Sequence, residues 1–299
     1  MDQKQPSKDD WYKAGEIAAN ARRYAAAMAK PNVLLLDIAN AVEQKIRDDG
    51  AVPGFPANLS LNTTAAHYTP HCNDETRLTK EHILKVDIGA CFNGAIGDTA
   101  VTVDLSGNYE KLVESSAKAL QNVCTLLTPE TKLGEIGKTI QETIEGFGFK
   151  PVFNLSGHGI AAYEIHTAPS FPNYNNHNQQ KLHVDQTFAV EPFATDGAGK
   201  IKEGTDPNIF EAVENKPIRD NMARQVMAEI NKFKGLPFAK RMLVSEKLPL
   251  SKVDFGLRLL KQNGNIIAHA PLVEVAGGIV TQAEHTFIVE EDQVVCLTK

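Results

Sequence analysis

Apolar and polar residues follow two periods along this chain, and the two periods predict two kinds of secondary structure. Apolar residues three or four positions apart, in residues 8–30, 34–47, 109–127 and 133–146, predict amphipathic helices. Pro31 ends the first of these helices and Pro129 follows the third. Compact apolar runs bounded by turn residues predict strands at residues 83–90, 99–104, 186–192, 279–282 and 286–289.

An internal repeat relates the two halves of the first two thirds of the chain. A shift of 99 residues places His67 of AAHYTP on His166 of EIHTAPS. Each half therefore contains a helix, a proline turn, a second helix, a strand and a histidine, which predicts a pseudo-twofold α+β domain with a curved antiparallel sheet inside and paired helices outside. A shift of 98 residues aligns Pro31 with Pro129, Leu35 with Leu133, Ile38 with Ile136, Val42 with Ile140, Ile46 with Ile144, Gly50 with Gly148 and Phe55 with Phe153.

Five residues that can bind metal lie in short apolar phrases: Asp87 in KVDIGA, Asp98 in GDTAVTV, His158 in LSGHGI, Glu191 in AVEPFAT and Glu284 in QAEHTFIV. Four carboxylates in apolar strands cannot remain ionised in a core unless a cation lies between them. Two divalent ions are the simplest candidate, and oxygen donors with one imidazole suit Mn, Fe, Co or Zn. The sequence therefore predicts a two-metal hydrolase site.

The first two of these carboxylates flank a hairpin turn, and the position of the turn sets their register. A turn centred on Phe92–Asn93 places Asp87 opposite Asp98, whereas a turn centred on Asn93–Gly94 places Asp87 opposite Ala100. Both registers leave the two aspartates on one face of the ribbon, because side chains alternate with a period of two. Like charges so placed repel unless they share a cation or a proton.

The 92 residues between Glu191 and Glu284 break the repeat pattern. A Gly-rich turn, DGAGKIKEG, leads into polar sequence with helical spacing at about 219–232 and 253–261. We predict a main domain of residues 1–205 and 265–299 with residues 206–264 inserted as a helical subdomain. A separately linked domain is disfavoured because Glu284 has to return to the site that contains Glu191.

Composition and charge narrow the class of protein. The 299 residues carry a net charge of −6, which argues against a nucleic-acid surface, and the basic residues from Lys232 to Arg241 fit a solvated helix face or a ribosome contact. No apolar stretch approaches the roughly 20 residues that cross a bilayer, and the polar, acidic N-terminus does not resemble a signal peptide. A cytoplasmic monomer is expected. The four cysteines, which form no CxxC pair, are Cys72, Cys91, Cys124 and Cys296.

Several phrases resemble the type 2 methionine aminopeptidases in their archaeal form, from about residue 10 to the C-terminus. This resemblance implies the pita-bread (creatinase/aminopeptidase) fold. It also implies a metalloaminopeptidase that removes the N-terminal methionine of nascent proteins by means of hydroxide bound between two metal ions. The phrases are FPANLSLNTTAAHYTP, KVDIGA, GDTAVTV, NLSGHGI, EIHTAPSFPN, FAVEPFATDGAG and QAEHTFIVE.

Roles for the five metal-binding candidates follow from the resemblance. Asp87 would chelate one ion and His158 the other, and Asp98 and Glu284 would bridge both. Glu191 would bind the second ion and act as the general base. Two divalent ions per chain, Co, Mn, Fe or Zn, are implied.

The repeat-related histidines and two apolar residues complete the implied site. His166 would stabilise the tetrahedral intermediate and His67 would position the substrate, although both histidines have an alternative role as buried residues bonded to the backbone. Phe55 and Ile165 would line a pocket for the methionine side chain, closed on one side by the insertion. The other histidines, His269 among them, are weaker candidates.

Two residues depart from the family's usual pattern. Ala283 replaces the large aromatic that usually precedes the bridging glutamate, and Ala270, beside His269, replaces a tyrosine near the pocket rim. Both changes concern the shape of the pocket rather than the metal ligands.

Three competing interpretations remain. An X-Pro peptidase such as prolidase has a His-Glu arrangement, HGxGxxxHE, that HGIAAYEIH matches only in part. A type 1 methionine aminopeptidase is disfavoured by the long segment before the last ligand. An adaptor of the same fold that lost its metals is disfavoured because all five ligand types are present.

Overall fold

The computed structural model describes residues 5–213 and 216–299. The helices are α1 (Lys8–Met28), α2 (Leu35–Asp48), α3 (Glu110–Leu126), α4 (Leu133–Gly146), α5 (Asn221–Ile230), α6 (Lys240–Leu243) and α7 (Leu250–Asn263). The strands are β1 (Val52–Pro53), β2 (Asn58–Leu61), β3 (Thr64–Ala66), β4 (Ile83–Phe92), β5 (Ala95–Asp104), β6 (Lys150–Pro151), β7 (Ser156–Ala161), β8 (Glu164–Pro172), β9 (Thr187–Val190), β10 (Phe193–Thr195), β11 (Ile201–Glu203), β12 (Ile209–Ala212), β13 (Phe238–Ala239), β14 (Ile266–His269), β15 (Leu272–Glu274), β16 (Val280–Gln282), β17 (His285–Val289) and β18 (Val294–Cys296). Within the described ranges, no helix has the length and apolarity needed to cross a membrane.

The internal repeat is confirmed in the backbone. Helices α2 and α4 begin and end 98 residues apart, and the short strands β1 and β6 keep the same offset. After each helix the chain turns through a glycine with a left-handed φ, 87° at Gly50 and 86° at Gly148. Glycine reaches this conformation without the steric cost of a Cβ atom, so both halves leave the helix and enter the sheet in the same way.

The first half packs α1 closely against a sheet built around β4. In this sheet β4 pairs with β1, β2 and β5, and α1 lies across β4 and β5. Ala14, Ala18, Ala21 and Ala25 form a fully buried stripe on α1. A Cβ atom on Gly97 of β5 would lie 2.6 Å from the Ala14 carbonyl oxygen, so the helix and the strand approach more closely than side chains allow.

The second half places α3 and α4 against a five-stranded sheet in the order β18-β17-β9-β7-β8. Stacked phenylalanines fill its core, with ring centroids 4.7 Å apart for Phe171 and Phe188 and 5.5 Å apart for Phe188 and Phe287. The two half-sheets meet at one antiparallel bridge. There the Ala100 amide donates to the Glu284 carbonyl at 3.3 Å, and the Glu284 amide donates to the Ala100 carbonyl at 3.1 Å. Glu284 therefore lies at the seam between the halves.

The segment after β11 contains more than the helices that were predicted. Helices α5 and α7 pack together over a core of their own, beside a three-stranded sheet in the order β13-β12-β14. The predicted helices are present, and the sequence analysis did not predict the strands beside them, because strands of two to four residues carry too few positions to show alternation. Strand β14 lies outside residues 206–264, and that domain boundary stays a prediction.

Three basic residues of this segment have acidic partners. Lys240 pairs with Asp254 at 2.8 Å, and Lys232 pairs with Glu229 at 2.5 Å. Arg241 forms a buried ion pair with Glu43 of α2, which ties the segment to the first half. The amino group of Lys234 lies 5.2 Å from the centroid of the Tyr163 ring.

The close approach of α1 to β5 leads to a stability prediction. Gly97→Ala places a methyl group against backbone, and overpacking of this kind costs about 1–3 kcal/mol of unfolding free energy. Gly146→Ala, at the end of α4 with no atom within 4 Å of the added Cβ, is the matched control. We expect it to stabilise by about 0.4–1 kcal/mol, since alanine lowers the entropy of the unfolded chain. Urea denaturation measures both, and equal effects of the two substitutions would contradict the packing argument.

Candidate active site

One cavity of about 320 Å³ brings together residues from both halves and from the inserted segment. Every residue that the sequence analysis assigned to the site lines this cavity. They are Phe55, His67, Asp87, Asp98, His158, Ile165, His166, Glu191 and Glu284.

The β4–β5 hairpin presents Asp87 and Asp98 on one face. Its turn is centred on Asn93–Gly94, whose φ angles of 50° and 98° are those of a type I′ turn. Asp87 therefore lies opposite Ala100, and Asp98 lies opposite Gly89. Of the two registers left open by the sequence, the structure has the one with the aspartates on a diagonal. Both side chains are buried.

His158 directs one ring nitrogen at the carboxyl groups. Its Nδ1 lies 3.1 Å from the Gly159 carbonyl oxygen, a contact that requires the proton on Nδ1 and leaves the lone pair on Nε2. Nε2 lies 3.6 Å from Asp98 Oδ2 and 3.9 Å from Glu191 Oε1. Burial lowers the pKa of His158 to about 4, so the ring is neutral near pH 7.

The donors at this end of the cavity fit divalent cations. Asp98, His158 and Glu284 each offer a ligand atom, and the three atoms lie within 4.8 Å of one another. The Oδ1 atoms of Asp87 and Asp98 are buried without a hydrogen-bond partner among the described residues. A lone pair and several acceptor oxygens that face each other repel unless a cation lies between them.

The carboxyl groups strongly disfavour ionisation without such a cation. Burial raises the pKa of Asp98, Glu191 and Glu284 well above the usual carboxyl range, and each pKa is raised further by neighbouring carboxylates. Burial also raises the pKa of Asp87 to about 7. The metal-free site therefore holds protons near neutral pH, and a cation has to displace them in order to bind.

Gln282 is a contact residue that the sequence analysis did not single out. Its Nε2 lies 3.4 Å from Asp87 Oδ2, from Glu191 Oε2 and from Glu284 Oε2. The only sequence signal is its position two residues before Glu284, which puts both side chains on the same face of an extended chain. The amide has two N–H groups, so it can donate to two of these three carboxyl groups at a time and helps to fix their orientation.

The two repeat-related histidines stand on the cavity wall. The His166 ring centroid lies 4.5 Å from that of His158, and the His67 ring centroid lies 5.8 Å from that of His269. Burial and the neighbouring histidine rings lower the pKa of both His67 and His166. Both rings are therefore neutral near pH 7, and each retains one N–H that can donate a hydrogen bond.

His269, a weaker candidate in the sequence analysis, also lines the cavity. Its Nε2 lies 3.0 Å from Glu211 Oε2, which joins β14 to β12 at the cavity wall. Ile209 and Pro237 of the inserted segment line the same wall. A lone histidine in an unremarkable phrase gives no signal of this placement, because strand pairing between β12 and β14 creates it.

Phe55 and Ile165 lie at an apolar part of the cavity. Both are buried, and they belong to one cluster with Cys91, Ile96, Ile160, Ala189 and Leu236. The cavity is therefore polar where the carboxyl groups converge and apolar on one side.

Ala283, one of the two departures from the family pattern, lies outside the cavity that contains the metal-binding candidates. Ala283 lines a second cavity of about 900 Å³, together with the neighbouring His285. The change from an aromatic residue to alanine therefore alters the space behind Glu284. Ala270 contacts the site through its backbone, which accepts a hydrogen bond from His67.

A sequence profile described as metallopeptidase family M24 matches residues 11–246. The chain belongs to this family. A methionine aminopeptidase of Methanocaldococcus jannaschii is 42% identical over 295 residues, which cover 96% of this chain and 96% of that relative.

Solved structures confirm the pita-bread fold that the sequence resemblance implied. A methionine aminopeptidase of Thermotoga maritima superposes with a TM-score of 0.72 at 23% identity and covers 100% of this chain and 99% of that chain. A thermophilic Arx1 superposes with a TM-score of 0.84 at 14% identity and covers 97% of this chain and 91% of that chain. At these identities the likeness shows the fold alone.

Membership of a metallopeptidase family implies a divalent metal cofactor, which agrees with the donor chemistry of the cavity.

The raised carboxyl pKa values predict how metal affinity depends on pH. Carboxyl protons compete with the cation, whereas His158 is already neutral above about pH 5 and adds no dependence. As the pH rises from about 6 to about 8, we expect the Kd for Mn²⁺ to fall by about tenfold per pH unit for each proton that the metal displaces. Calorimetric titration measures it.

Two variants sharpen this measurement. Asp87→Asn removes one titrating ligand and should weaken Mn²⁺ binding and flatten its pH dependence. Glu203→Gln, which changes an exposed carboxyl on β11, should leave both unchanged. A wild-type Kd that is independent of pH would show that the cavity carboxyls are not protonated in the metal-free protein.

Proposed function

We propose that this protein is a metal-dependent aminopeptidase that removes the N-terminal methionine from nascent proteins. The observation that carries the proposal is a single cavity in which four carboxyl groups and a neutral imidazole converge beside an apolar wall. Relatives named methionine aminopeptidase, 42% identical over almost the whole chain, support the choice of reaction.

Two divalent ions, Co, Mn, Fe or Zn, are the proposed cofactors. Asp87, Asp98, His158, Glu191 and Glu284 would hold them. When bound, such ions polarise the scissile carbonyl and lower the pKa of the attacking water toward neutrality. Gln282 supports the set, because its Nε2 lies 3.4 Å from three of the carboxyl groups and can donate to two of them at a time.

Glu191 is the proposed general base. It accepts a proton from the attacking water and delivers it to the leaving amine. One contact supports this role: Gln282 Nε2, 3.4 Å from its Oε2, holds the carboxyl group in the cavity. Glu191 directly follows the last residue of β9 and precedes Pro192, which cannot donate a backbone hydrogen bond. Its side chain therefore lies at the end of a strand and not within a hydrogen-bonded strand pair.

His166 acts as a neutral hydrogen-bond donor, whereas the one N–H of neutral His67 donates to the Ala270 carbonyl and leaves its other ring nitrogen as an acceptor. His166 stabilises the negative charge that develops on the substrate carbonyl oxygen, and His67 orients the substrate beyond the scissile bond. A neutral ring suits both tasks because it adds no positive charge to a site that would already hold cations. Their lowered pKa values support this assignment.

Phe55 and Ile165 form the proposed pocket for the methionine side chain, and Leu236 closes it from the inserted segment. An unbranched thioether fills an irregular apolar space without requiring a polar partner. Apolar pockets discriminate by about 1–3 kcal/mol per methylene, so short or branched N-terminal residues are cleaved slowly rather than rejected.

The proposed setting is the cytoplasm, with the protein as a monomer that meets nascent chains and contacts the ribosome. All four cysteines are free, which suits a reducing compartment. Lys234, an exposed basic residue of the inserted segment that lies over Tyr163, is a candidate for this contact. Co-sedimentation of the protein with ribosomes tests this part independently of catalysis.

The proposal predicts the substrate. Protein stripped of metal and refilled separately with Mn, Co, Fe or Zn should release methionine from Met-Ala-Ser and act far more slowly on Leu-Ala-Ser, because only methionine matches the apolar pocket. Chromatography of the released amino acids measures both. Cleavage of Ala-Pro instead would assign an X-Pro peptidase, and metal binding without any cleavage would favour the adaptor interpretation.

Substitutions test the roles of individual residues. Glu191→Ala should lower kcat/KM for Met-Ala-Ser by about 10²–10⁴-fold, since the proton acceptor is lost. His67→Ala should lower it by at least about tenfold and leave metal binding intact, because His67 is not a ligand. His183→Ala, which changes an exposed histidine outside the cavity, is the matched control. Near-normal activity of Glu191→Ala would refute the mechanism.

A further inference from the structure

The cavity behind Glu284 is built from parts that the proposed reaction does not use. It has a volume of about 900 Å³ and is lined by α1, α3 and the C-terminal strands. Ala283 and His285, the two neighbours of Glu284, lie on its wall, as does Arg22. Two of the four cysteines, Cys124 and Cys296, also line it.

These two cysteines are far apart in the chain and meet in space. Cys124 lies in the last turn of α3, and Cys296 ends β18. Both side chains line the same cavity, where the Cys296 thiol is a hydrogen-bond donor to the Cys124 sulfur. Cys124 is exposed, and the cavity gives a small reagent access to both groups.

The electrostatic surroundings divide the pair into a reactive and a resolving partner. The hydrogen bond from Cys296 and the Lys299 ammonium group lower the pKa of Cys124, which favours its thiolate. The same hydrogen bond and burial raise the pKa of Cys296. The pKa of Cys124 is lowered, whereas burial raises the pKa of Cys72 and raises that of Cys91 to about 11.

We propose that Cys124 and Cys296 form an oxidation-sensitive dithiol, a modification site that a peroxide converts into a disulfide between α3 and β18. The Cys124 thiolate attacks one peroxide oxygen, the O–O bond breaks, and hydroxide leaves as water after protonation. The Cys296 sulfur then attacks the Cys124 sulfur of the resulting sulfenic acid and loses its proton, and the S–O bond breaks to release a second water. Two thiols are oxidised by two electrons, and one hydrogen peroxide is reduced to two waters.

The disulfide would act on β17, the strand that begins directly after Glu284. Strand β18 pairs with β17, and Cys296 lies opposite Phe287. Two residues further on, Thr298 Oγ1 accepts the Thr286 amide at 3.0 Å and lies 3.0 Å from His285 Nδ1. A bond from Cys296 to α3 therefore fixes the segment directly behind the metal cavity.

Zinc-loaded protein is the starting material for the test, because zinc takes no part in redox chemistry. Hydrogen peroxide is added in increasing equivalents, remaining thiols are blocked with N-ethylmaleimide, and intact mass and non-reducing tryptic maps are recorded. We expect the mass to fall by two hydrogen atoms, two thiols to escape blocking, and one peptide to link Cys124 to Cys296. The cross-linked protein should melt about 5 °C or more higher, since a long loop is closed.

Matched variants decide the assignment. Cys124→Ser and Cys296→Ser should each abolish the cross-link, whereas Cys72→Ser should retain it. The melting temperature of each variant under reducing conditions shows that it is folded. Oxidation that stops at sulfenic or sulfinic acid on Cys124, a cross-link that involves another cysteine, or complete blocking of all four thiols after peroxide would each overturn the proposal.

Discussion

The burial of four carboxyl groups around one imidazole is the constraint on which the rest of the structure depends. Desolvation raises the pKa of all four carboxyl groups, and the Nε2 lone pair of His158 faces two of them. This cluster destabilises the metal-free fold unless protons or cations neutralise it. The surrounding sheet has to be rigid enough to hold the groups together in spite of their repulsion.

The rigidity comes from the way in which two similar halves join. Each half carries a pair of helices outside a sheet, and the sheets meet at the bridge between Ala100 and Glu284. On the first half, an alanine stripe and Gly97 bring α1 into contact with the strand that bears Asp98. On the second, three stacked phenylalanines hold the strands that bear His158 and precede Glu191. The metal-binding candidates therefore sit where two separately packed units share a seam.

Contacts behind the seam extend the site toward the second cavity. Arg22 donates to Thr99 Oγ1 and lies 3.3 Å from His285 Nδ1, while Thr99 Oγ1 donates to the Glu284 carbonyl at 2.8 Å. Burial and the adjacent Arg23 lower the pKa of Arg22. Its two hydrogen-bond partners are the hydroxyl of Thr99 and the ring of His285, which is neutral near pH 7 because burial lowers its pKa to about 3. The position of Glu284 is thus coupled to α1 and to the C-terminal strand, which is the part of the molecule that the proposed dithiol would fix.

The sequence by itself determined the helices of both halves, the repeat offset and the set of candidate ligands, because periodicity and the cost of a buried charge are local signals. It left the hairpin register open between two turns, and only the structure selected the Asn93–Gly94 turn. It did not show that Gln282 contacts three carboxyl groups, that His269 joins Glu211 at the cavity, or that Cys124 meets Cys296. Each of these contacts joins segments distant in the chain, and neither spacing nor composition records which strands become neighbours once the two halves and the inserted segment pack together.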